Sequence, residues 1–481
     1  MNDFFFSNAS SMVLPDACSF YIKRAPGVTA QKYIMRLPTN AAFTPGAHCQ
    51  LQLPAVHGLD TRSAQITCDV STSTSTGGPC VLPRYGAQML IENSSLLCGG
   101  QCIGGQSNQF YNVYNHIAQD LSAGSTDQSK MSIYGGAADV PPVAPSGATS
   151  LAGPTWDQNG VYTPGQVSAY SSTQWAGSSQ TTATQAGSNP LVKDSSSNIT
   201  YSAGLPQVIE VFNNTLETIT PSIIPSFLMQ NLFVDIGFAP GSILIGPSGC
   251  TPSYTVQNVT LQCNVYSLGE EYAGYMRSFV EQGNLIQMPF KSVQAFPGPL
   301  SGGMDITQQF TVGTGSLDKL MCCFLDSAYR TPGPVVYGSN TSKWLTLGKG
   351  TGVKQMYWTI NGQQNPSFPV GPRHAWGQTM TDLGLAQAGK GIYKNANSYI
   401  YYLTRLFVWA YSLQLPFAES PGRELSGLST VNQNAQLALY VQSDPTNTAA
   451  NLESYSCYPL VFALSTSVLN VAAGGQISVS V

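Results

Sequence analysis

The clearest shortage in this chain of 481 residues is charge, because Asp, Glu, Lys and Arg together make up 9% of it, against about 25% in ordinary soluble proteins. The surface must therefore be covered mainly by Ser, Thr, Asn, Gln and Gly. Soluble enzymes rarely have such a surface. A protein that binds copies of itself gains from it, because an unpaired charge at the centre of an interface is costly to desolvate.

Basic residues are scarce as well, with 20 Lys and Arg against 24 Asp and Glu and a net charge of −4. A protein that neutralises phosphates needs a clustered excess of Lys and Arg, and the sequence has no such cluster. We therefore expect no direct sequence-specific binding of nucleic acid. Any contact with a genome should be indirect.

Long apolar runs are also missing. The opening MNDFFFSNASSM lacks the basic region and apolar core of a secretory signal, and no apolar run reaches the length of about 18 residues that a membrane span needs. The nearest candidate, Tyr399 to Phe417, contains Arg405 and is predicted to form a pair of buried strands.

The terminal residues Phe4, Phe5 and Phe6 need cover from water, since burying each side chain is worth about 2 kcal/mol. Two interpretations stay open. The phenylalanines could fold back onto the first half of the chain. Alternatively, this N-terminal arm could dock on a neighbouring copy, a cement protein or an internal membrane.

The 11 cysteines have no regular spacing that would indicate a disulfide framework. Several lie on the apolar side of alternating strands, as Cys68 does, and are predicted to be small buried hydrophobic residues. Cys322 and Cys323 lie in an apolar strand and are predicted to be core. This usage favours assembly in a reducing compartment.

Metal chemistry is not expected. The four histidines share no close spacing along the chain; they are His48, His57, His116 and His374. Cys98 and Cys102 have the spacing of half a zinc site, but no second half is visible. A glycine turn with cysteines under the sheet is the favoured interpretation.

Catalytic motifs are equally weak. Residues 384–391 have the Gly and Lys spacing of a phosphate-binding loop, but Gly391 replaces the Ser or Thr that would hold magnesium. Glu270 and Glu271 form the tightest carboxylate pair, at a predicted helix start where negative charge is favourable. Asp235 is expected on the solvated side of a strand. We therefore predict no catalytic, cofactor-binding or metal-binding residue and no enzyme.

Period-two alternation dominates the chain and predicts an all-β protein of the sandwich type. It is clear in residues 231–238, 259–265 and 437–441. Three helices are predicted, at about 109–121, from 267 through Val280, and at about 374–388. A capping box, Ser267 to Glu270, is predicted to open the middle helix.

The order of elements occurs twice. The strand and turn at residues 96–101 precede one predicted helix, and those at 359–364 precede another. Downstream, residues 230–238 correspond to 434–441, and 254–266 correspond to 455–468. The first half contains roughly 60 extra residues, which fit a long Ser/Thr/Gly-rich external loop at about 135–204. We predict a first domain at 1–266, a helix and linker at 267–283, and a second domain at 284–481.

Five segments resemble the double jelly-roll major capsid proteins of tailless icosahedral DNA viruses, the lineage of adenovirus-like, virophage and polinton-like viruses. They are LLCGGQ at 96–101, IIPSFLMQNLFVDIGFAP at 223–240, LGEEYAGYM at 268–276, LPFAESPGRELSGLSTVNQNAQLALYV at 415–441 and GGQISVSV at 474–481. The resemblance covers nearly the whole chain in the order and spacing of elements. It implies two consecutive eight-stranded jelly-roll β-sandwiches with a few short helices in connecting loops.

The resemblance also implies a role in a virion. Three copies would form a pseudo-hexameric homotrimer, trimers would meet in a lattice, and penton and minor or cement proteins would be further partners. Cyclic symmetry requires heterologous contacts, in which one flank of a copy meets a different flank of the next. Two alternatives stay open, a vertex or spike protein of a similar virus and a secreted two-domain carbohydrate-binding protein or glycosidase.

Overall fold

The computed structural model describes residues 30–39, 41–74, 86–103, 110–122, 205–229, 231–246, 251–299, 305–326, 352–383, 406–414, 425–431, 436–444 and 457–480, together with Leu82, Tyr399, residues 402–403 and several two-residue strands. The predicted outward loop at about 135–204 lies outside the described residues, apart from four of those two-residue strands. The terminal Phe4, Phe5 and Phe6 also lie outside them.

The described strands before residue 269 belong to the first half of the chain. They are β1 Ala30–Pro38, β2 His48–Gln52, β3 Gly58–Asp60, β4 Gln65–Thr74, β5 Ile91–Cys98, β6 Gln101–Ile103, β7 Thr155–Trp156, β8 Tyr162–Thr163, β9 Val192–Lys193, β10 Ile199–Thr200, β11 Leu205–Ile209, β12 Ile223–Ile224, β13 Leu232–Phe238, β14 Ile245–Gly246 and β15 Pro252–Leu268.

The strands after residue 285 follow the same order. They are β16 Ile286–Pro297, β17 Asp305–Phe310, β18 Leu317–Asp326, β19 Val335–Val336, β20 Val353–Ile360, β21 Gln363–Val370, β22 Ala386–Gln387, β23 Ile392–Tyr393, β24 Val408–Ser412, β25 Leu437–Ser443, β26 Cys457–Val471 and β27 Ile477–Ser480.

Short helices connect these strands. They are α1 Tyr111–Ser122, α2 Asn214–Thr218, α3 Gly269–Glu281 and α4 Pro372–Asp382, with 3-10 turns at Thr61–Ser63, Gly86–Leu90, Ser226–Leu228, Gly241–Ile243 and Ala473–Gly475. No described helix is long and apolar enough to span a bilayer.

One eight-strand plan is present twice. In the first sandwich the sheet β11-β4-β15-β1 packs on the sheet β2-β13-β5-β6, and in the second β24-β18-β26-β16 packs on β17-β25-β20-β21. Each strand of the first sandwich has a counterpart at the same place in the second. The short strands β3, β12 and β27 only extend the larger sheets. The predicted pair of jelly-rolls, and the repeat behind it, are confirmed.

The same hairpin turn occurs in both halves. Gly99 and Gly100 join β5 to β6 with φ of 56° and 81°, and Asn361 and Gly362 join β20 to β21 with φ of 51° and 78°. A two-residue turn with positive φ at both positions matches the right-handed twist of the strands, and Gly and Asn adopt it at least cost. The strand after each turn, β6 or β21, was not predicted from the sequence.

A bulge shifts the alternation in β15. Asn258 has a φ of 53°, and the register with β4 shifts between Gln257 and Thr260. The extra residue changes which side chains face the core. Val256 and Val259 are therefore both buried although they are three residues apart.

Two helix predictions need correction. The capping box is wrong, because Ser267 belongs to β15 and the N-cap of α3 is Leu268, which makes no side-chain hydrogen bond. The strand continues one residue beyond the predicted cap, and Gly269 with φ of 51° then turns the chain into the helix. The helix predicted to reach 388 ends at Asp382.

The domain division at 266 and 284 stays a prediction in its boundaries. β15 ends at Leu268 and β16 begins at Ile286. Strand pairing stays within each half, apart from the two-residue parallel pairing of β14 with β19 in the described part of the chain.

Candidate assembly surfaces

The outward face of the second sandwich is apolar. On the sheet β16-β26-β18-β24, alternate residues turn away from the sandwich's own core and are nonetheless buried; they are Val293, Ala295, Met321, Cys323, Val408, Ala410, Leu460 and Phe462. The residues between them, such as Trp409 and Val461, face the inner core. A sheet buried on both faces has continuous apolar strands instead of alternating ones.

The first sandwich covers this face. Buried residues of the first sandwich and of the outward face of the second form one continuous apolar cluster. Helix α1 supplies Tyr114, whose ring lies 5.7 Å from that of Phe462. The two sandwiches are thus joined by a dry, close-packed interface.

Hydrogen bonds from α2 complete the contact at the edge of β16. The N–H of Thr220 donates to the carbonyl of Pro289 at 2.9 Å. Asn214 Nδ2 donates to the carbonyl of Lys291 at 3.2 Å, and the Lys291 N–H donates to Thr218 Oγ1 at 2.9 Å. The 214–220 segment of the first sandwich therefore occupies backbone groups that a free sheet edge would leave unpaired.

An ion pair lies at the same edge. Lys291 Nζ is 2.6 Å from Asp318 Oδ2, and the side chain of Asp318 is 3% exposed. Ser316 Oγ donates to the other carboxylate oxygen at 2.9 Å, and Thr466 Oγ1 donates to Oδ2. A carboxylate this deep is tolerated because its oxygens are satisfied by these donors.

The four histidines named from the sequence contact different groups in the structure. His48 Nδ1 is 3.2 Å from Asp235 Oδ2 on the outward face of the first sandwich. Asp235 therefore contacts a ring nitrogen of His48 and its side chain is only 22% exposed, so the expectation of a simply solvated carboxylate is wrong. His57 lies edge-on to Phe227, and His374 edge-on to Phe368. His116 is buried in α1.

The cysteines named from the sequence are placed on strands. Cys98 is buried at the end of β5, and Cys102 lies opposite Leu97 in β6. Cys322 and Cys323 are fully buried, which confirms the core prediction, and they point to opposite faces of β18. Burial raises the pKa of Cys322 to about 12, which keeps that thiol protonated and unreactive.

The remaining candidates do not converge on a site. Glu270 and Glu271 lie in the first turn of α3, as predicted. Within the phosphate-loop-like stretch, only Ala386 and Gln387 are described, in a strand after the end of α4, and Gly389 to Gly391 lie outside the described residues. In the part of the chain that is described, no three His, Cys, Asp or Glu side chains are grouped to hold a metal ion.

Glu217 was not singled out by the sequence. It lies in α2 beside a surface cavity of about 530 Å³ that Arg62 and Gln262 also line. Its Oε1 accepts the N–H groups of Phe212 at 2.9 Å and Asn213 at 3.2 Å. Burial raises the pKa of this carboxyl to about 8, although the two N–H groups lower it.

We expect Glu217→Gln to increase the free energy of unfolding at pH 8 by about 4 kcal/mol and to change it little at pH 4. The folded carboxyl keeps its proton up to about pH 8, whereas the unfolded one loses it near 4.5. The wild-type protein therefore loses stability as pH rises through this window, and the glutamine variant does not.

Urea denaturation of both proteins at pH 4, 6 and 8 measures this difference. Glu281→Gln, at an exposed residue in the last turn of α3, is the control and should shift stability by less than about 0.5 kcal/mol. Parallel pH profiles for wild type and Glu217→Gln would show that the carboxyl does not titrate as its burial implies.

No protein-family model matches the chain, and no curated protein matches it. Solved structures do match. PBCV-1 VP54, a crystal structure fitted into a reconstruction of the virophage Sputnik, is 13% identical with a TM-score of 0.56 over 96% of this chain and 99% of that one.

Two further structures give the same result. The Faustovirus major capsid protein is 8% identical with a TM-score of 0.52, over 97% of this chain and 97% of its own. The cryo-EM structure of the Sputnik virophage matches at 11% identity and a TM-score of 0.51, over 98% of this chain and 92% of that one. These matches extend over nearly the full length of each chain and show the fold, so this protein is a double jelly-roll.

Proposed function

We propose that this chain is the major capsid protein of an icosahedral virus and builds the shell as a homotrimer of upright double jelly-rolls. The observation that carries the proposal is the pair of equivalent sandwiches locked together by a dry interface. Structures of the same fold, over nearly their full length, include the Faustovirus major capsid protein and the PBCV-1 virus capsid. Three such copies place six similar pillars in a ring.

The composition supports this role. With 9% charged residues, the flanks carry few groups that would have to be desolvated when copies meet. The presence of two complete sandwiches disfavours the vertex or spike alternative, since vertex proteins commonly have one. Penton and minor capsid proteins, and a contact of Phe4 to Phe6 with a neighbour or an internal membrane, complete the proposal as further partners.

We expect the full-length recombinant chain to elute at three times the 51.1 kDa of one chain in size-exclusion chromatography with light scattering. Because few charges lie in the contacts, the trimer should persist between about 0.1 and 1 M salt, a range over which exposed ion pairs are screened. Negative-stain images should show threefold particles with six lobes.

The opposite outcome is also clear. The capsid proposal is contradicted if the chain stays monomeric at every concentration tested. It is also contradicted if the chain hydrolyses glycans, as the carbohydrate-binding alternative predicts. A trimer that dissociates at high salt would show that its contacts are mainly electrostatic, contrary to the composition.

A further inference from the structure

The two sandwiches differ in how the edge of their first strand is covered. β1 pairs with β15 as β16 pairs with β26, so β1 and β16 are counterparts. The edge of β16 is capped by the 214–220 segment, and its outward residues Val293 and Ala295 are 3% and 7% exposed. On β1 the side chains of Ile34 and Tyr33 are 59% and 44% exposed.

The backbone N–H and C=O groups on the side of β1 away from β15 also pair with no described strand. The N–H of Thr39 donates to the carbonyl of Val259 at 2.7 Å, so alternate residues back to Tyr33 bond to β15. Lys32, Ile34 and Arg36 therefore turn their N–H and C=O groups to the other side. Among the described strands none pairs there. We call residues 32–36 the β1 edge.

The counterpart of the 214–220 segment lies between β24 and β25. Residues 425–431 are anchored at the start of β18. Leu428 and Leu317 exchange hydrogen bonds of 2.8 and 2.9 Å, and the N–H of Thr430 donates to the carbonyl of Thr314 at 2.8 Å. In the first sandwich Ser222 follows the 214–220 segment and accepts from the N–H of Thr61, just before β4. By these anchors Leu428 and Thr430 take the place of the residues around Ser222, so the 425–431 segment corresponds to the end of the 214–220 segment and the residues that follow it.

The 425–431 segment presents apolar side chains to solvent. Leu425 is 56% exposed and Val431 is 36% exposed. The corresponding residues of the first sandwich are partly covered, because Thr220 bonds to β16 of the second sandwich while Ile223 is 42% exposed. The chain therefore has one apolar segment and one apolar sheet edge whose counterparts are already joined to each other.

We propose that the 425–431 segment of one copy packs on the β1 edge of the next copy. This inference rests on the proposed function and names the surfaces that form the trimer. The contact repeats between copies the one that the 214–220 segment makes with β16 within a chain. The contact is heterologous, because it joins different surfaces of the two copies. In a trimer, three of these contacts between copies alternate with three contacts within a chain, and together they close a ring of six sandwiches.

The test is a cysteine pair in the full-length protein. The double variant Ile34→Cys with Leu425→Cys should give, on mild oxidation, a ladder of covalent dimers and trimers on a non-reducing gel, ending at the trimer and reversed by reductant. Neither single variant should give the ladder. Chains with Ile34→Cys co-assembled with chains carrying Leu425→Cys should stop at the dimer.

A matched pair controls for chance collisions. Tyr275→Cys with Phe368→Cys places thiols at side chains that are 67% and 55% exposed but outside the proposed contact, and it should give no ladder. As a second measurement, Ile34→Asp and Leu425→Asp should each weaken trimer formation at least about tenfold, because a buried unpaired carboxylate costs more than 1.4 kcal/mol. Tyr275→Asp should leave the trimer unchanged.

The outcomes separate this inference from the proposed function. The wild-type protein could form a trimer while the double cysteine variant gives no cross-link and neither aspartate variant weakens the trimer. That result overturns the proposed contact surfaces and leaves the capsid role intact. An intrachain disulfide between Ile34→Cys and Cys18 would show that residues 1–29 cover the β1 edge, which also overturns the surfaces alone. A wild-type monomer overturns both.

Discussion

Replacing Phe462 by alanine is expected to lower the free energy of unfolding by about 3–5 kcal/mol. The side chain is fully buried on the outward face of the second sandwich, and its ring lies 5.7 Å from that of Tyr114 in the first. Truncation removes apolar contact and leaves a cavity between the sheet that contains β26 and helix α1, which close packing prevents from collapsing fully. Urea denaturation followed by far-UV circular dichroism measures the change.

Two comparisons test whether this loss comes from the interface between sandwiches. Phe368→Ala removes the same atoms from a side chain that is 55% exposed and should shift stability by less than about 0.5 kcal/mol. Tyr114→Ala combined with Phe462→Ala should reveal a coupling energy of about 0.5–1.5 kcal/mol. Equal losses in Phe462→Ala and Phe368→Ala, or a coupling of zero, would contradict the described packing.

Asp318→Ala is the second substitution with a large expected effect, a loss of about 3 kcal/mol. The carboxylate is 3% exposed and lies 2.6 Å from Lys291 Nζ, and it also accepts hydrogen bonds from Ser316 and Thr466. Alanine leaves the buried hydroxyls of Ser316 and Thr466 without their acceptor, and Lys291 Nζ keeps only Thr466 Oγ1, at 2.6 Å. The Lys291 side chain is 43% exposed, so water reaches it and keeps the loss below that of a fully buried pair.

The matched control is a more exposed carboxylate in the first sandwich. Asp235 pairs with His48 at 3.2 Å, with side chains 22% and 59% exposed, and Asp235→Ala should cost less than about 1 kcal/mol. Asp318→Asn should lie between the two, because an amide oxygen still accepts while the charge is lost. Thermal denaturation at pH 7 compares all three, and an Asp318→Ala protein no less stable than Asp235→Ala would refute the buried network.

Phe462→Ala probes the contact that makes the chain a single building block, and Asp318→Ala probes the strand β16 on whose edge that contact rests. The interface within the chain is apolar and hydrogen-bonded along the β16 edge. The surfaces inferred for the contact between copies expose only a few apolar side chains, Ile34 and Leu425 the most prominent. We therefore expect each chain to fold into a rigid pair of sandwiches first and to assemble afterwards, since the larger apolar contact is local to one chain.

Much of the fold could be predicted from the residues. Alternation predicted strands 231–238 and 437–441, because their side chains face the core on one side only, and the Gly99 and Gly362 turns marked the repeat. The helix at 111–122 followed from apolar spacing. The strand β21 was missed, because Gln363–Val370 is mostly exposed and shows no alternation. The stretch from Tyr399 to Phe417 was predicted as two strands, but the structure describes one, Val408–Ser412.

The candidate assembly surfaces could be predicted less well from the sequence. Low charge indicated self-association but could not locate it, because composition carries no position. The apolar run from Leu460 to Ala463 is typical of a strand buried on both faces, yet the sequence analysis did not single it out, and a run of this kind does not say what covers the second face. No local pattern marked the ion pair of Lys291 with Asp318, because its two residues are far apart in sequence. No local pattern marked Glu217 either, because its properties depend on burial.

The amino-acid sequence by itself determined the strands, the turns and the repetition of one sandwich plan, because these depend on side-chain periodicity and on which residues tolerate positive φ. Only the tertiary structure decided how the two sandwiches meet. That arrangement buries the outward face of the second sandwich and, among the described strands, leaves the far edge of β1 without a partner, since burial across a sheet depends on partners that local sequence does not encode.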